Sequence, residues 1–535
     1  MPTEAKFLGV YFAVWLAAAM LVCVAIFARR MIYLLRVLAQ GRRENRFDHI
    51  GLRISTFLLE VIGQKRMLRG ESIINWAHPL IFWGFCLFVC ASALMFLGGV
   101  LAPWLWVPQA EVIPVLGTLV DLFAVLVLIG LVASSVRRYL LTPPGLQVTT
   151  DATIVVLLIA GLMVTFLLAE AGGRADEQIA RATGQAELGM MAHQTWLPAG
   201  TATYSMMESV GVPIESIATV GVVAWWIHVG ILLFFLVYLP YSKHMHLIWA
   251  PFAVLFAELP NKGTLADAVE PGEESASPLA VFTWRQLLSA YACAECGRCE
   301  RVCPAVASGS KLSPREILHS LKGFVLQEGR SALAHKGGDV NGADPHPAFA
   351  GEMVPAEVLW GCTSCYACMD VCPVRNEHVP IIVEMRRRLV NDGMVDASLQ
   401  EALTSLQRYG NSLGKSARKR FEWAKDLEVP IKNAGKEPVD LLWFLGDYAA
   451  FHPSTSVVSK RLARVFQKAG LDFGVLERGE KSTGNDVRRV GEEGLFEMLA
   501  EQNMKAFDGA DFKRIVTTDP HTHHALKHEY GRFGL

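Results

Sequence analysis

The sequence predicts a multidomain chain: five membrane-crossing helices, then a small α-helical domain, then a compact α/β unit. Three observations predict it. Apolar runs of bilayer length fill residues 1–258, and eight of the 11 cysteines stand in two copies of one motif between 293 and 372. Beyond residue 437, short apolar strands alternate with helical stretches. At 535 residues the chain is too long for one core. We divide it into a membrane domain at 1–258, a linker at 259–280, a helical domain at 281–432 and an α/β domain at 433–535. A net charge of −1 and the lack of a basic, aromatic-studded patch leave no nucleic-acid partner to argue for.

The membrane runs are about 7–28, 77–100, 112–136, 151–170 and 216–240, each close to the ~20 residues a bilayer requires. The first lacks a basic n-region and a small-residue cleavage site, so it reads as an anchor closed by Arg29 and Arg30. Segment 29–70 carries ten Lys or Arg, and the loop 101–111 carries none. The positive-inside rule then puts the amino terminus outside a prokaryotic inner membrane and everything after Lys243 in the cytoplasm. Cys23, Cys86 and Cys90 lie in apolar runs as small packing residues.

Ionisable groups inside a membrane default to function. His78 opens the second run, His228 sits in the middle of the fifth, and His244 and His246 follow at its cytoplasmic end. If that helix continues, His228 and His246 are five turns apart on one face, ~27 Å from each other. Imidazoles at two depths suit axial ligation of haem. The outer loop 173–213 carries Glu187, His193 and Trp196; His193, and Glu170 just before the loop, are candidate proton-exchanging groups for a quinone, against the plainer reading of solvated side chains.

The repeated motif is C-x2-C-x2-C-x3-C-P: Cys293, Cys296, Cys299 and Cys303, then Cys362, Cys365, Cys368 and Cys372. This is the two-cluster ferredoxin spacing, in which the fourth cysteine ligates the other cluster. Cys293, Cys296, Cys299 and Cys372 thus hold one [4Fe–4S] cluster, and Cys362, Cys365, Cys368 and Cys303 the other. Zinc rarely needs four cysteines in eleven residues, and disulfides are rare inside cells. The Pro/Gly/Ser-rich and acidic stretch 260–278 reads as an exposed linker. Helices are expected at WRQLLSAYAC, SPREILHSLKGFVLQ, VPIIVEMRRRLV and LQEALTSLQRYGN, the last two packing over the clusters. His335 and His346 fall in an insertion and read as solvent-facing. In the last domain, DLLWFLGDYAAF, FGVLE and KRIVTTDPH alternate with VVSKRLARVFQKAG and EGLFEMLAEQN, which reads as a parallel sheet.

The five runs and their histidines resemble the cytochrome b subunit of respiratory nitrate reductase and its relatives in membrane heterodisulfide reductases. That resemblance implies haem b held between the second and fifth spans. Phe88 stands where a second ligand of the second span is expected, so one haem, on His78 with His246 or His244, is the better-supported count. A second would need His228 with an unusual partner such as His49 or His193, or an open axial site. The last domain resembles the cysteine-rich repeat of heterodisulfide reductase catalytic subunits. Its cysteine positions match Asp447, Ser482-Thr483-Gly484 and Asp519-Pro520-His521-Thr522, hard ligands that do not suit a cluster. It therefore reads as a structural or docking copy. His521, His523, His524 and His528 read as a solvated turn and helix.

Relatives continue past Leu535 into a second repeat, which implies a separate subunit that supplies it or a protein that has dispensed with it. Taken whole, the chain resembles the fused cytochrome b/iron–sulfur oxidoreductases, including electron-transfer-flavoprotein:menaquinone oxidoreductases. This implies an enzyme passing electrons from a cytoplasmic donor, electron-transfer flavoprotein, through two clusters and haem b to menaquinone. The alternatives are a quinol-linked heterodisulfide or thiol reductase subunit, and a cluster-bearing membrane anchor for a separate catalytic subunit.

Overall fold

The computed structural model describes residues 6–7, 10–69, 73–101, 109–183, 196–259, 263–265, 277–334 and 349–535. Glu187, His193, His335 and His346 lie outside them. Among the described residues, four helices are long and apolar enough to cross a membrane: Val14–Leu38, Val115–Leu141, Thr150–Ala182 and Ile214–Tyr241. A shorter apolar stretch, Ala77–Ala93, belongs to helix α3 (Ala77–Leu101). The others are α1 (Phe12–Leu38), α4 (Gln109–Ser135), α5 (Thr150–Ala182) and α7 (Ile214–Tyr238). Leu21, Val115, Val132, Leu157 and Val223 stand exposed on these helices, apolar surface that a bilayer would cover.

No water competes inside a bilayer, so helices there associate through close packing. A Cβ built on Gly172 of α5 would collide with the Gly221 Cα in α7, so only glycine at both positions lets these backbones touch. At the far end of the bundle, Asp121 of α4 is fully buried and accepts the Ala199 and Gly200 amides, which caps helix α6 (Pro198–Ser209).

Two sequence expectations change here. Arg29 and Arg30 do not end α1. Arginine is a good helix former, and the Arg30 guanidinium stacks on Tyr33 (5.1 Å) and Tyr241 (4.7 Å) as the helix runs on. Its last turns, Leu34, Val37 and Leu38, join Trp249, Leu287, Tyr291, Leu318 and Ile382 in the core of the cysteine-bearing domain. Nor does α7 continue to His246. It stops at Tyr238, a 3-10 turn with Pro240 follows, Ser242 is extended, and the chain restarts as α8 (His246–Leu255). Proline removes a helical donor and crowds the preceding turn, which makes the break.

The basic segment 29–70 does more than set orientation. It carries helix α2 (Ile50–Phe57) and a π-helical turn (Leu58–Ile62), with Ile50, Ile54, Leu58 and Leu59 exposed as on an interfacial amphipathic helix. Its arginines grip the cysteine-bearing domain. Arg46 pairs with Glu377 (2.9 Å), and Arg66 donates to the carbonyls of Asp370 (3.0 Å) and Cys372 (2.9 Å). From the other side, fully buried Arg285 of α9 (Trp284–Ala292) donates to the Ala253, Phe256 and Arg375 carbonyls. These guanidinium groups reach carbonyls and a carboxylate of the other part, so the two parts meet as a packed interior.

Helices Pro314–Ala334, His378–Asn391 and Ala397–Tyr409 follow the expected pattern. The stretch expected to be an exposed linker is not exposed throughout. Leu265 is buried against Cys299, Cys368, Val379 and Val383, and the carbonyls of Gly263 and Leu265 accept from Arg489 and Arg488. The last part holds a four-stranded parallel sheet in the spatial order Lys432–Asn433, Phe473–Val475, Val439–Trp443, Phe512–Val516. Helices Pro453–Lys468 and Glu493–Asp508 supply the crossovers.

Candidate electron-transfer site

The two cysteine loops share one backbone device. In C-A-E-C-G-R-C, Glu295 (φ 53) and Gly297 (φ 70) are left-handed; in C-T-S-C-Y-A-C, Ser364 (φ 53) and Tyr366 (φ 61) are. Alternating hands turn successive amides to one side, the concave nest that receives anions and iron–sulfur clusters. Two amides already point at sulfur: Ser364 N–H to Cys362 Sγ (3.4 Å) and Asn376 N–H to Cys372 Sγ (3.3 Å).

The fold crosses the two motifs over. Cys293, Cys296, Cys299 and Cys372 line one small cavity, with Asn376 and His378 behind them. Cys368 has Cys362, Cys365 and Cys303 among its electrostatic neighbours. Cys299, Cys303, Cys368 and Cys372 are buried, and Cys365 is exposed. Burial, with the backbone of Glu295 working against it and Cys372 and Cys296 adding to it, pushes the Cys293 thiol up to about 12; burial and then Cys296 push Cys372 to about 11. Iron binds thiolates, so loading these loops must release protons, and the cost of gathering four sulfurs is recovered only when metal arrives. Among the described residues, no three His, Cys, Asp or Glu side chains close on a single ion.

A cavity of about 540 Å³ falls within the range that encloses cofactor-sized molecules, ~300–1,000 Å³. His78, His228, His244 and His246 all line it. His78 has accessible surface yet protein all round it, as a residue facing an internal cavity must. The His246 Nδ1–H donates to the Lys243 carbonyl (2.8 Å), and the His228 Nδ1–H to the Leu162 carbonyl (3.0 Å). An acceptor at Nδ1 fixes the tautomer and leaves the Nε2 lone pair for a metal. His244 Nδ1 is buried with no hydrogen-bond partner. Burial, then His246 and His78, hold His244 well below the ordinary imidazole value, so it is neutral at pH 7. A break in α7 thus achieves what a continuous helix would not: it folds His244 and His246 back beside His78. The rings of His244 and His246 are 5.3 Å apart. His228 lies deeper, with Phe166 (6.4 Å) beside it and Phe88 packed on Phe166 (5.4 Å).

The floor of this cavity is the first cysteine loop: Ala294, Cys296 and Arg298 line it together with the histidines, as does Pro373 after the second motif. Sequence reasoning did not place the loop there. The hidden signal was TPPG at 142–145. Gly145 (φ 80) and Gly297 meet so closely that a Cβ on Gly297 would collide with the Gly145 carbonyl oxygen. Arg315 donates to that same oxygen (2.8 Å).

Other candidates stay apart. His49 is exposed beside Asp48 (3.7 Å), and Glu170 lies near Asp121 and Gly200 away from the cavity. Trp196 is exposed. His524 faces the Gly263 carbonyl, with His528 5.0 Å from it. Asp447 is buried and pairs with Arg420 (2.9 Å), which also holds buried Glu480 (2.8 Å). Glu480 accepts the Leu445 and Gly446 amides, and Asp519 and Thr522 approach Gly446 from the other side. An ion triad fills the carboxyl ends of these strands.

Comparison with known proteins agrees with the cysteine geometry. The family described as 4Fe-4S dicluster domain matches residues 292–376. Probable iron-sulfur-binding oxidoreductase FadF of Bacillus subtilis is 32% identical over 536 residues, covering 92% of this chain and 73% of that protein. EtfAB:quinone oxidoreductase of Syntrophomonas wolfei is 29% identical over 525 residues, 93% of this chain and 72% of that protein. One subunit of the dihydromethanophenazine:CoB--CoM heterodisulfide reductase of Methanosarcina barkeri is 26% identical over 239 residues, 43% of this chain and 55% of that protein. No solved structure matches the chain.

Proposed function

The chain belongs to the iron–sulfur oxidoreductase family of the Bacillus relative, and from that premise we propose that it conducts electrons between a soluble flavoprotein and membrane quinone. In this reading residues 1–258 form a haem-binding membrane domain, 281–432 carry two [4Fe–4S] clusters, and 433–535 are a docking domain without a cluster. Cys293, Cys296, Cys299 and Cys372 hold the first cluster; Cys362, Cys365, Cys368 and Cys303 hold the second. His78 with His246 or His244 holds one haem b, and Phe88 leaves His228 without a counterpart across the cavity. Bound there, the clusters and haem supply one-electron carriers.

The observation that carries the reading is the single cavity shared by four imidazoles and the first cysteine loop. It supports a first cluster lying next to a haem, and exposed Cys365 supports a second loop nearer solvent. The protein's own work is to fix that spacing, hold Nε2 of His246 and His228 unprotonated, and keep water from the buried thiolates. Electron-transfer flavoprotein is the donor we infer, because the Syntrophomonas relative is named for it. A disulfide reductase is the weaker reading: no cysteine follows Cys372, and Arg420, Asp447 and Glu480 fill the corresponding place. The full chain purified in detergent tests the haem assignment. His78→Ala, and one of His246→Ala and His244→Ala, should abolish the b-type spectrum while leaving iron and sulfide at about eight each by the cluster count. Retention of that spectrum in His78→Ala, or in both of the other variants, would refute these ligands.

A further inference from the structure

The cavity has a cationic wall at its floor that the described carboxylates neutralise only in part. Arg137, Arg138, Lys243 and Arg298 all line it on the side of the first cysteine loop. Arg137 and Arg138 sit on a π-helical turn, Val136–Leu141, that ends the span begun by α4, and such turns re-aim side chains at functional sites. Their partners are few. Lys243 pairs with Glu295 (3.7 Å); Arg298 donates to the Arg66 and Met67 carbonyls; Arg138 donates to the Gln147 carbonyl. Among the described residues no carboxylate pairs with Arg137, whose charged neighbours are Arg301, Arg298, Arg138 and Cys296. Among the described residues the one carboxylate lining the cavity, Glu60, is committed to Arg375 (2.6 Å) and Arg66 (3.0 Å).

Like charges gathered beside a low-dielectric cavity repel unless an anion joins them. The occupant this lining selects has an apolar body, to lie among Phe82, Phe85 and Leu236, metal-binding capacity facing the imidazoles, and anionic groups on one edge. We propose that Arg137, seconded by Arg138 and Arg298, receives the carboxylates of a tetrapyrrole bound in this cavity. The proposal rests on the haem reading above and adds to it the orientation: carboxylate edge toward the first cysteine loop. Guanidinium is suited to the task because its planar fork takes a carboxylate by two parallel hydrogen bonds.

The test uses the full chain made without haem and reconstituted in nanodiscs with either haem or its dimethyl ester, which lacks the charges. Affinity is read from the Soret band and cluster content from iron and sulfide. Losing hydrogen bonds to a charged group costs about tenfold to hundredfold in affinity. The wild type should prefer haem to the ester by at least about tenfold, and R137Q/R138Q should bind the two alike with cluster content unchanged. Wild-type preference retained in R137Q/R138Q overturns the proposal, as does equal binding of haem and ester by the wild type; in both cases the haem reading survives. If the wild type takes up neither, the haem reading itself falls, and this proposal with it. Phosphatidylglycerol and phosphatidylcholine discs form the second arm. Lipid phosphate as the true anion would show as loss of retained phosphatidylglycerol in R137Q/R138Q with the haem preference intact, which again overturns the proposal.

Discussion

Gly297→Ala is the sharpest perturbation of the contact between the membrane helices and the first cysteine loop. Two costs add. A left-handed residue other than glycine costs ~1–2 kcal/mol, and Gly297 has φ 70. The new methyl would collide with the Gly145 carbonyl oxygen and stand 2.5 Å from its carbon. These are backbone atoms, so the loops must separate, at the ~1–3 kcal/mol typical of overpacking. The sum, about 2–5 kcal/mol, would raise local opening by roughly 30-fold or more at 1.4 kcal/mol per decade. Tyr366 supplies the control. It occupies the equivalent place in the second loop with φ 61 as a non-glycine, so the left-handed turn alone is tolerable and docking is what demands Gly297. Hydrogen exchange by mass spectrometry on the detergent-solubilised protein should show peptides covering 142–149 and 293–303 exchanging at least about tenfold faster in the variant, a floor set below that opening ratio. Unchanged protection in both peptides would refute the close contact.

Two further predictions concern buried charge. Burial first, then Glu377, pushes the Glu258 carboxyl up to about 8, with Arg46 working against them. A carboxyl whose folded pKa exceeds its unfolded value costs nothing at low pH and destabilises as pH rises from about 4.5 through 8. Glu258→Gln should therefore match wild type at pH 5 and exceed it by ~2–4 kcal/mol at pH 9, discounted for partial exposure; thermal melts at the two pH values decide it. Arg420→Met strands Asp447 and Glu480 as buried carboxylates, which costs ~3–5 kcal/mol. Limited proteolysis should then cut within 433–535 while the haem and cluster spectra stay as they were; equal resistance would show that the triad does not hold this part together.

Much of the site was legible in the residues. The motif spacing picked out the dicluster region that the family model matches at 292–376, because ligand chemistry fixes spacing whatever the surrounding fold. The histidines stood out because an imidazole in an apolar run has few structural excuses. The way they meet was not legible. Periodicity treats 216–246 as one helix, and a single Pro240 with an extended Ser242 turns it back on itself. The arginines of 42–66 read as topological signals, since charge alone does not reveal that Arg46 and Arg66 have partners more than 300 residues away. The cationic wall escaped for the same reason: Arg137 and Arg298 are far apart in the chain and share one wall only once it is folded.

The most direct test of the conduit is an anaerobic spectrum of the intact protein in detergent, following the haem b band. Electron-transfer flavoprotein, reduced through an acyl-CoA dehydrogenase, is added first and a menaquinone analogue second. The account predicts that the haem band reduces on the first addition and reoxidises on the second, and that Cys296→Ser, which disrupts the cavity floor, blocks the first step. A haem that ignores reduced flavoprotein but reduces with a quinol would contradict the account and turn the direction of flow toward a cytoplasmic acceptor.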